Sequence, residues 1–159
     1  MKHKEFLSQL DSAKIVDAIH RTEQCSSSEV RVHVDPSVRG RDIRAVAERT
    51  FERLGMTKTA QRNGVLLFIA AEEQQFTILG DKGIHERVPE HFWEDVAEKI
   101  SGHFKEHRFT EGIVDAIDEV ASHLSVCFPI QPGDVNELAN EVSFGETTPR
   151  DSGNPESRK

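Results

Sequence analysis

The chain has 159 residues, 36% hydrophobic and 30% charged, which suits one domain with a core of its own. Its formal net charge is -8 and its pI about 5.5, with no run of Lys and Arg, so a phosphate backbone is repelled and nucleic acid is not an expected partner. No apolar run nears the roughly 20 residues of a membrane-spanning helix; the longest, VLLFIAA at 65–71, is strand length.

Residues 5–23 read as a helix, with Phe6, Leu7, Leu10, Ile15, Ala18 and Ile19 on one face. Asp11 or Ser12 is an alternative cap for a helix that starts there. EVRVHVD at 29–35 alternates strictly, which predicts a half-buried strand with Val30, Val32 and Val34 inward and His33 outward between Arg31 and Asp35. Residues 40–55 form an amphipathic helix that buries Ile43, Val46, Ala47, Phe51 and Leu54 and stops at Gly55. NGVLLFIAA at 63–71 is apolar on both faces and predicts a central strand covered on each side. EEQQ turns the chain into a third strand, 75–83, antiparallel to it. The strand–helix–strand series before it predicts a right-handed parallel pair. Pro89 opens a helix over about 89–106, and Thr110 caps a last long helix, 111–125.

These elements predict an α/β fold: a three-layer α/β/α sandwich, a small mixed sheet with helices on both faces. The domain runs over 1–128. A short docking segment, 129–144, follows; in it a short helix is expected at 134–142, whose face of Val135, Leu138 and Val142 is expected to pack back on the domain, the alternative being a recognition element for a partner. Residues 145–159 are polar and expected to be disordered.

Connectivity sends the starts of both parallel strands and the end of the antiparallel one to the same edge of the sheet. That edge gathers Glu29, Arg62, Asn63, Asp81, Lys82 and His85, with Glu23 of the first helix approaching. Glu29 and Asp81 are candidate ligands for a divalent cation, calcium or magnesium, because hard cations take oxygen donors. In a metal-free phosphatase, Asp81 would be the nucleophile, with Lys82 and Arg62 clamping the phosphate. A conformational reading competes: Gly80 and Gly83 supply positive φ, and Asp81 caps backbone N–H groups of the turn.

Other signals are weaker. HFKEH at 103–107 fits H-x-x-E-H, two zinc-binding histidines around Glu106, but Arg108-Phe109-Thr110 reads as a turn and a helix C-terminus suits an imidazolium. There is no G-x-S-x-G elbow and no P-loop. The first 20 residues lack the apolar core of a signal peptide, and neither end carries a lipidation motif. Cys25 and Cys127 lie far apart without C-x-x-C spacing and read as reduced thiols, so the expected location is the cytoplasm, with no direct membrane span.

NGVLLFIAAEEQQFTILGDKGI, followed by FWEDV and FKEHRFTEGIVDAI, resembles the TPM domain, and TEQCSSSEVRVHVD resembles that family's Glu…Thr-Ser-Gly-Glu-Ile-Arg-Val segment. The likeness covers roughly residues 8–125. The ending FP…DVNELANEV resembles a short subgroup without signal peptide or membrane anchor. Asn63-Gly64 and Gly80…Gly83-Ile84 match the family's turn positions, and Glu29 its strand-opening Glu; His85 stands where many members have Glu, Glu90 where they have Asp, and His107 where they have a helix-ending Gly. The resemblance implies an α/β/α sandwich. It also implies a range of roles: acid phosphatase, calcium binder, or accessory protein of a membrane complex, often beside a LemA-type membrane protein. The function expected is a non-enzymatic accessory or binding module, the alternative a divalent-metal-dependent phosphatase at the 29/63/81 edge.

Overall fold

Alternation places Val30, Val32 and Val34 of β1 (Glu29–Asp35) on the larger of two cores, which a computed structural model describes for residues 1–130 and 143–144. β1 pairs in parallel with β2 (Gly64–Ala70), Glu29 opposite Gly64 and Asp35 opposite Ala70. β2 pairs antiparallel with β3 (Gln75–Gly80), joined by the expected hairpin. A fourth strand, β4 (Ser143–Phe144), which the sequence did not announce, adds in parallel beside His33 and Val34, so the order is β3-β2-β1-β4.

Helices cover both faces. On one lie α2 (Ser12–Cys25), α5 (Phe92–Lys105) and α6 (Phe109–Cys127), whose apolar stripes meet the valines of β1 and Val65, Leu67 and Ile69 of β2. On the other lies α3 (Ile43–Arg53), with Val46, Ala47 and Phe51 against Leu66, Phe68, Ala70 and Leu79. All seven residues of β2 are buried, as a strand covered on both sides must be. Gly55, at φ +75°, ends the α3 segment in the left-handed conformation that favours glycine.

Several expectations are corrected. The single N-terminal helix is two, α1 (His3–Ser8) and α2, because Asp11 caps α2 through the Lys14 N–H, 3.3 Å away, the alternative its position offered. β1 is not half-buried. With β4 outside it, β1 is an inner strand, and His33 is 1% exposed, its Nε2 3.0 Å from Asp35 Oδ1 and its ring stacked on Phe68. Pro89 lies ahead of α5 rather than in its first turn, and its carbonyl accepts the Phe92 N–H. Thr110 does not cap α6: its hydroxyl accepts the Asp11 N–H at 3.0 Å, so it serves the start of α2. The short helix expected within 134–142 and the tail 145–159 lie outside the described residues.

Candidate functional site

The expected edge forms. Glu29 stands opposite Gly64, and the Asp81 N–H donates to the Gly64 carbonyl at 2.9 Å, so Glu29, Gly64 and Asp81 occupy one row across three strands. The loop after β3 is a one-turn helix, α4 (Lys82–His85), absent from the expected elements. Asp81 caps it, accepting the Lys82 N–H at 2.8 Å on Oδ1. Arg62 then closes a fork on the same carboxylate, Nε to Oδ2 at 2.6 Å and Nη2 to Oδ1 at 2.9 Å. Asp81 is buried and both its oxygens are engaged. The Asp81 hydrogen bond raises the Arg62 guanidinium above its ordinary pKa.

The two glycines are there for close approach, not for positive φ, which among described glycines only Gly40 and Gly55 adopt. A Cβ on Gly80 would stand 2.5 Å from Trp93 Cζ2, and one on Gly83 only 2.3 Å from the Gln61 carbonyl oxygen and 2.7 Å from that of Arg62. The Gly83 N–H donates to the Arg62 carbonyl at 2.9 Å. Thus Arg62, itself at φ +51°, is bound to the 81–83 turn through backbone and side chain together.

The rim does not come together as one ligand set. Glu29 and Asp81 are two strands apart, roughly 10 Å at the backbone, and the Met56 carbonyl oxygen stands 3.0 Å from where a Gly64 Cβ would lie between them. Asn63 is turned to a different group: its Nδ2 donates to Ser27 Oγ at 3.3 Å, as Gln61 Nε2 does at 3.1 Å. Its Oδ1 and the hydroxyl of Ser28 are buried with no hydrogen-bond partner among the described residues. Lys82 and His85 are exposed, and His85 meets Trp93 edge-on at 6.1 Å. Among the described residues no three His, Cys, Asp or Glu side chains are grouped to hold a metal ion. The HFKEH pattern fails likewise: α5 ends at Lys105, His107 sits at φ +60° beyond it, and His103 Nε2 pairs with Asp115 at 2.8 Å.

What the rim does build is a cleft of about 330 Å³ between α3 and the 79–85 segment. Phe51 and Leu79 supply its apolar wall, and Arg44, Glu48, Glu52, Thr57, Arg62, Asp81 and His85 its polar one. Asp81 takes two of the five guanidinium N–H donors of Arg62, leaving three for a bound group. Sequence reasoning named Arg62, Asp81 and His85 but missed Arg44, Glu48, Glu52 and Thr57. Arg44 was within reach, since its spacing to Glu48 and Phe51 puts it on the flank of α3 beside the buried stripe.

Comparison with known proteins agrees with this architecture. The chain matches the TPM domain over residues 1–123. It is similar to the BA42 protein of the psychrophilic bacterium Bizionia argentinensis, solved by NMR, at 37% identity and a TM-score of 0.78, covering 86% of this chain and 95% of that one. Two further solution structures share the fold: the N-terminal domain of a Porphyromonas gingivalis protein (15% identity, TM-score 0.62, covering 75% of this chain and 78% of that one), and that of the cg2496 protein of Corynebacterium glutamicum (14%, 0.58, 85% and 80%). No curated protein matches. A match over most of its length, with a 37%-identical relative of the same fold, makes this chain a member of the TPM-domain family.

Proposed function

We propose that this chain is a non-enzymatic accessory or binding module of TPM type, acting from the cytoplasm on a membrane-associated complex, with a LemA-type membrane protein as the partner class. The observation that carries the reading is the state of Asp81. A phosphatase at this edge needs a carboxylate free to attack phosphorus or to ligate a cation. Asp81 is instead buried under a bidentate arginine and spent on capping α4. Such an arrangement holds the wall of a cleft; it does not leave a nucleophile. The cleft, with Arg62 donors opposite Phe51 and Leu79, offers a partner side chain both a polar and an apolar contact.

The test is turnover of p-nitrophenyl phosphate by the purified protein, with calcium, with magnesium and with EDTA. No release of nitrophenol above the buffer rate is expected in any of the three. Hydrolysis that disappears in Asp81→Asn would replace this reading with the phosphatase.

The metal-dependent alternative has one observation in its favour. Asn63 Oδ1 and Ser28 Oγ are buried oxygens without hydrogen-bond partners among the described residues, the donor type that calcium and magnesium take. Thermal melts with EDTA and then with each cation decide it, because a ligand bound only to the folded state raises the melting temperature. A rise with one cation that Asn63→Ala abolishes, in a variant that still folds, establishes the site.

A further inference from the structure

Charge is divided unevenly between the two helical layers. Residues 39–62, which comprise α3 and its flanks, hold seven basic and three acidic residues, a net +4, with Arg62 paired to Asp81, against a net -9 for the other residues of 1–130. Arg39, Arg41, Arg44, Arg49, Arg53 and Lys58 are all exposed. Arg44 pairs with Glu48 at 3.5 Å, and the Arg41 and Arg53 charges act on Asp35, while Arg39, Arg49 and Lys58 form no ion pair with any described residue. The opposite layer exposes Glu94, Asp95 and Glu98 on α5 and Glu111 and Asp118 on α6. The molecule therefore has a cationic side and an anionic side, with the sheet between them.

We propose that the α3 face docks on an anionic lipid surface. The cationic side carries charge without an apolar anchor. Phe51, the aromatic of α3, is buried, and among the described residues the exposed large hydrophobics, Val126 and Ile130, lie at and just beyond the end of α6. A protein partner is held by a desolvated apolar centre with aromatic anchors, and single-stranded nucleic acid by aromatic stacking. Outside the 79–85 cleft, neither feature is present on this face among the described residues. A headgroup layer needs only charge: several Lys and Arg on one amphipathic helix face suffice, each contributing about fivefold in partitioning. The acidic layer on the far side is repelled by the same lipids, so the field also fixes orientation, with α3 toward the headgroups and the 79–85 cleft beside the surface. This docking is independent of what the cleft binds.

The experiment is co-sedimentation of the full chain with phosphatidylcholine vesicles, with and without phosphatidylserine, at low and high salt. Binding is expected only to the phosphatidylserine vesicles, and salt is expected to release it. The double variant Arg49→Glu/Arg53→Glu is expected to partition more than about tenfold more weakly. Lys4→Glu/Lys105→Glu, the same charge change on the opposite layer, should leave binding within about twofold of the parent protein. Circular dichroism melts of both variants are the check that they fold. No binding to anionic vesicles at low salt overturns the proposal. So does equal binding to neutral vesicles, equal loss in both double variants, or binding to duplex DNA with none to vesicles.

Discussion

Asp81 and Gly83 are the residues on which the rim depends. The 81–83 turn and the 61–62 backbone are so close that a methyl group at position 83 would meet two carbonyl oxygens inside contact distance. Backbone has no rotamer with which to yield, so Gly83→Ala is expected to destabilise the fold by about 1–3 kcal/mol, measured by urea unfolding. Asp81→Asn removes the ionic half of the fork while preserving shape, and a lower melting temperature is expected. Position 81 shows how sequence reasoning performs at this scale. Its capping role was legible, because Asp before a helical turn satisfies a backbone N–H. Connectivity also put Arg62, 19 residues away, on the same edge, but not the fork between the two side chains, which packing sets. His33 shows the limit more sharply, since strict alternation assigned it to solvent, whereas its ring is buried on Phe68 and bonded to Asp35.

At the scale of elements, α1 needs explanation, because six residues make no stable helix alone. It is held chiefly by Phe6, with Leu7 partly buried against the same core. Phe6 is fully buried, 4.8 Å from the Phe109 ring and 6.3 Å from Phe104, inside an aromatic group that joins α1, α5 and α6. Phe6→Ala is expected to cost about 3–5 kcal/mol, with hydrogen exchange rising first over residues 3–8. The loop from β1 to α3 is held in another way. Glu73, in the β2–β3 hairpin, accepts the Ser37 hydroxyl at 2.6 Å and the Val38 N–H at 3.1 Å. No local pattern in the sequence marks that carboxylate as a partner of a loop 35 residues earlier.

Across the whole molecule, the same contacts set the response to acid. Burial works against the charged forms of Asp35 and Glu73. The His33 hydrogen bond and the Arg53 and Arg41 charges nevertheless hold Asp35 below its ordinary pKa, and the Ser37 hydroxyl with neighbouring backbone N–H groups does the same for Glu73. A carboxyl depressed in the folded state adds stability above its unfolded pKa and loses it as pH falls through the folded one. Urea midpoints are therefore expected to fall progressively below the ordinary carboxylate range. Asp35→Asn and Glu73→Gln should each flatten that decline, and an unchanged acid limb in both variants would refute the assignment. The division of charge belongs to this scale too. The basic residues of 39–62 are interleaved with apolar ones and form no run, so they register as a surface only when α3 turns its apolar stripe onto β2 and β3.

By itself the sequence determined the α/β/α architecture, the parallel β1–β2 pair, the hairpin to β3 and the edge where Glu29, Asn63 and Asp81 lie, because periodicity and short connections are local properties that restrict topology strongly. Tertiary structure alone decided which of those edge residues meet. It sent Asn63 to Ser27 and Asp81 to Arg62, added β4 outside β1, and buried His33. The physical reason is common to all of these: each is a contact between side chains or strands distant in sequence, fixed by packing geometry that no local pattern encodes.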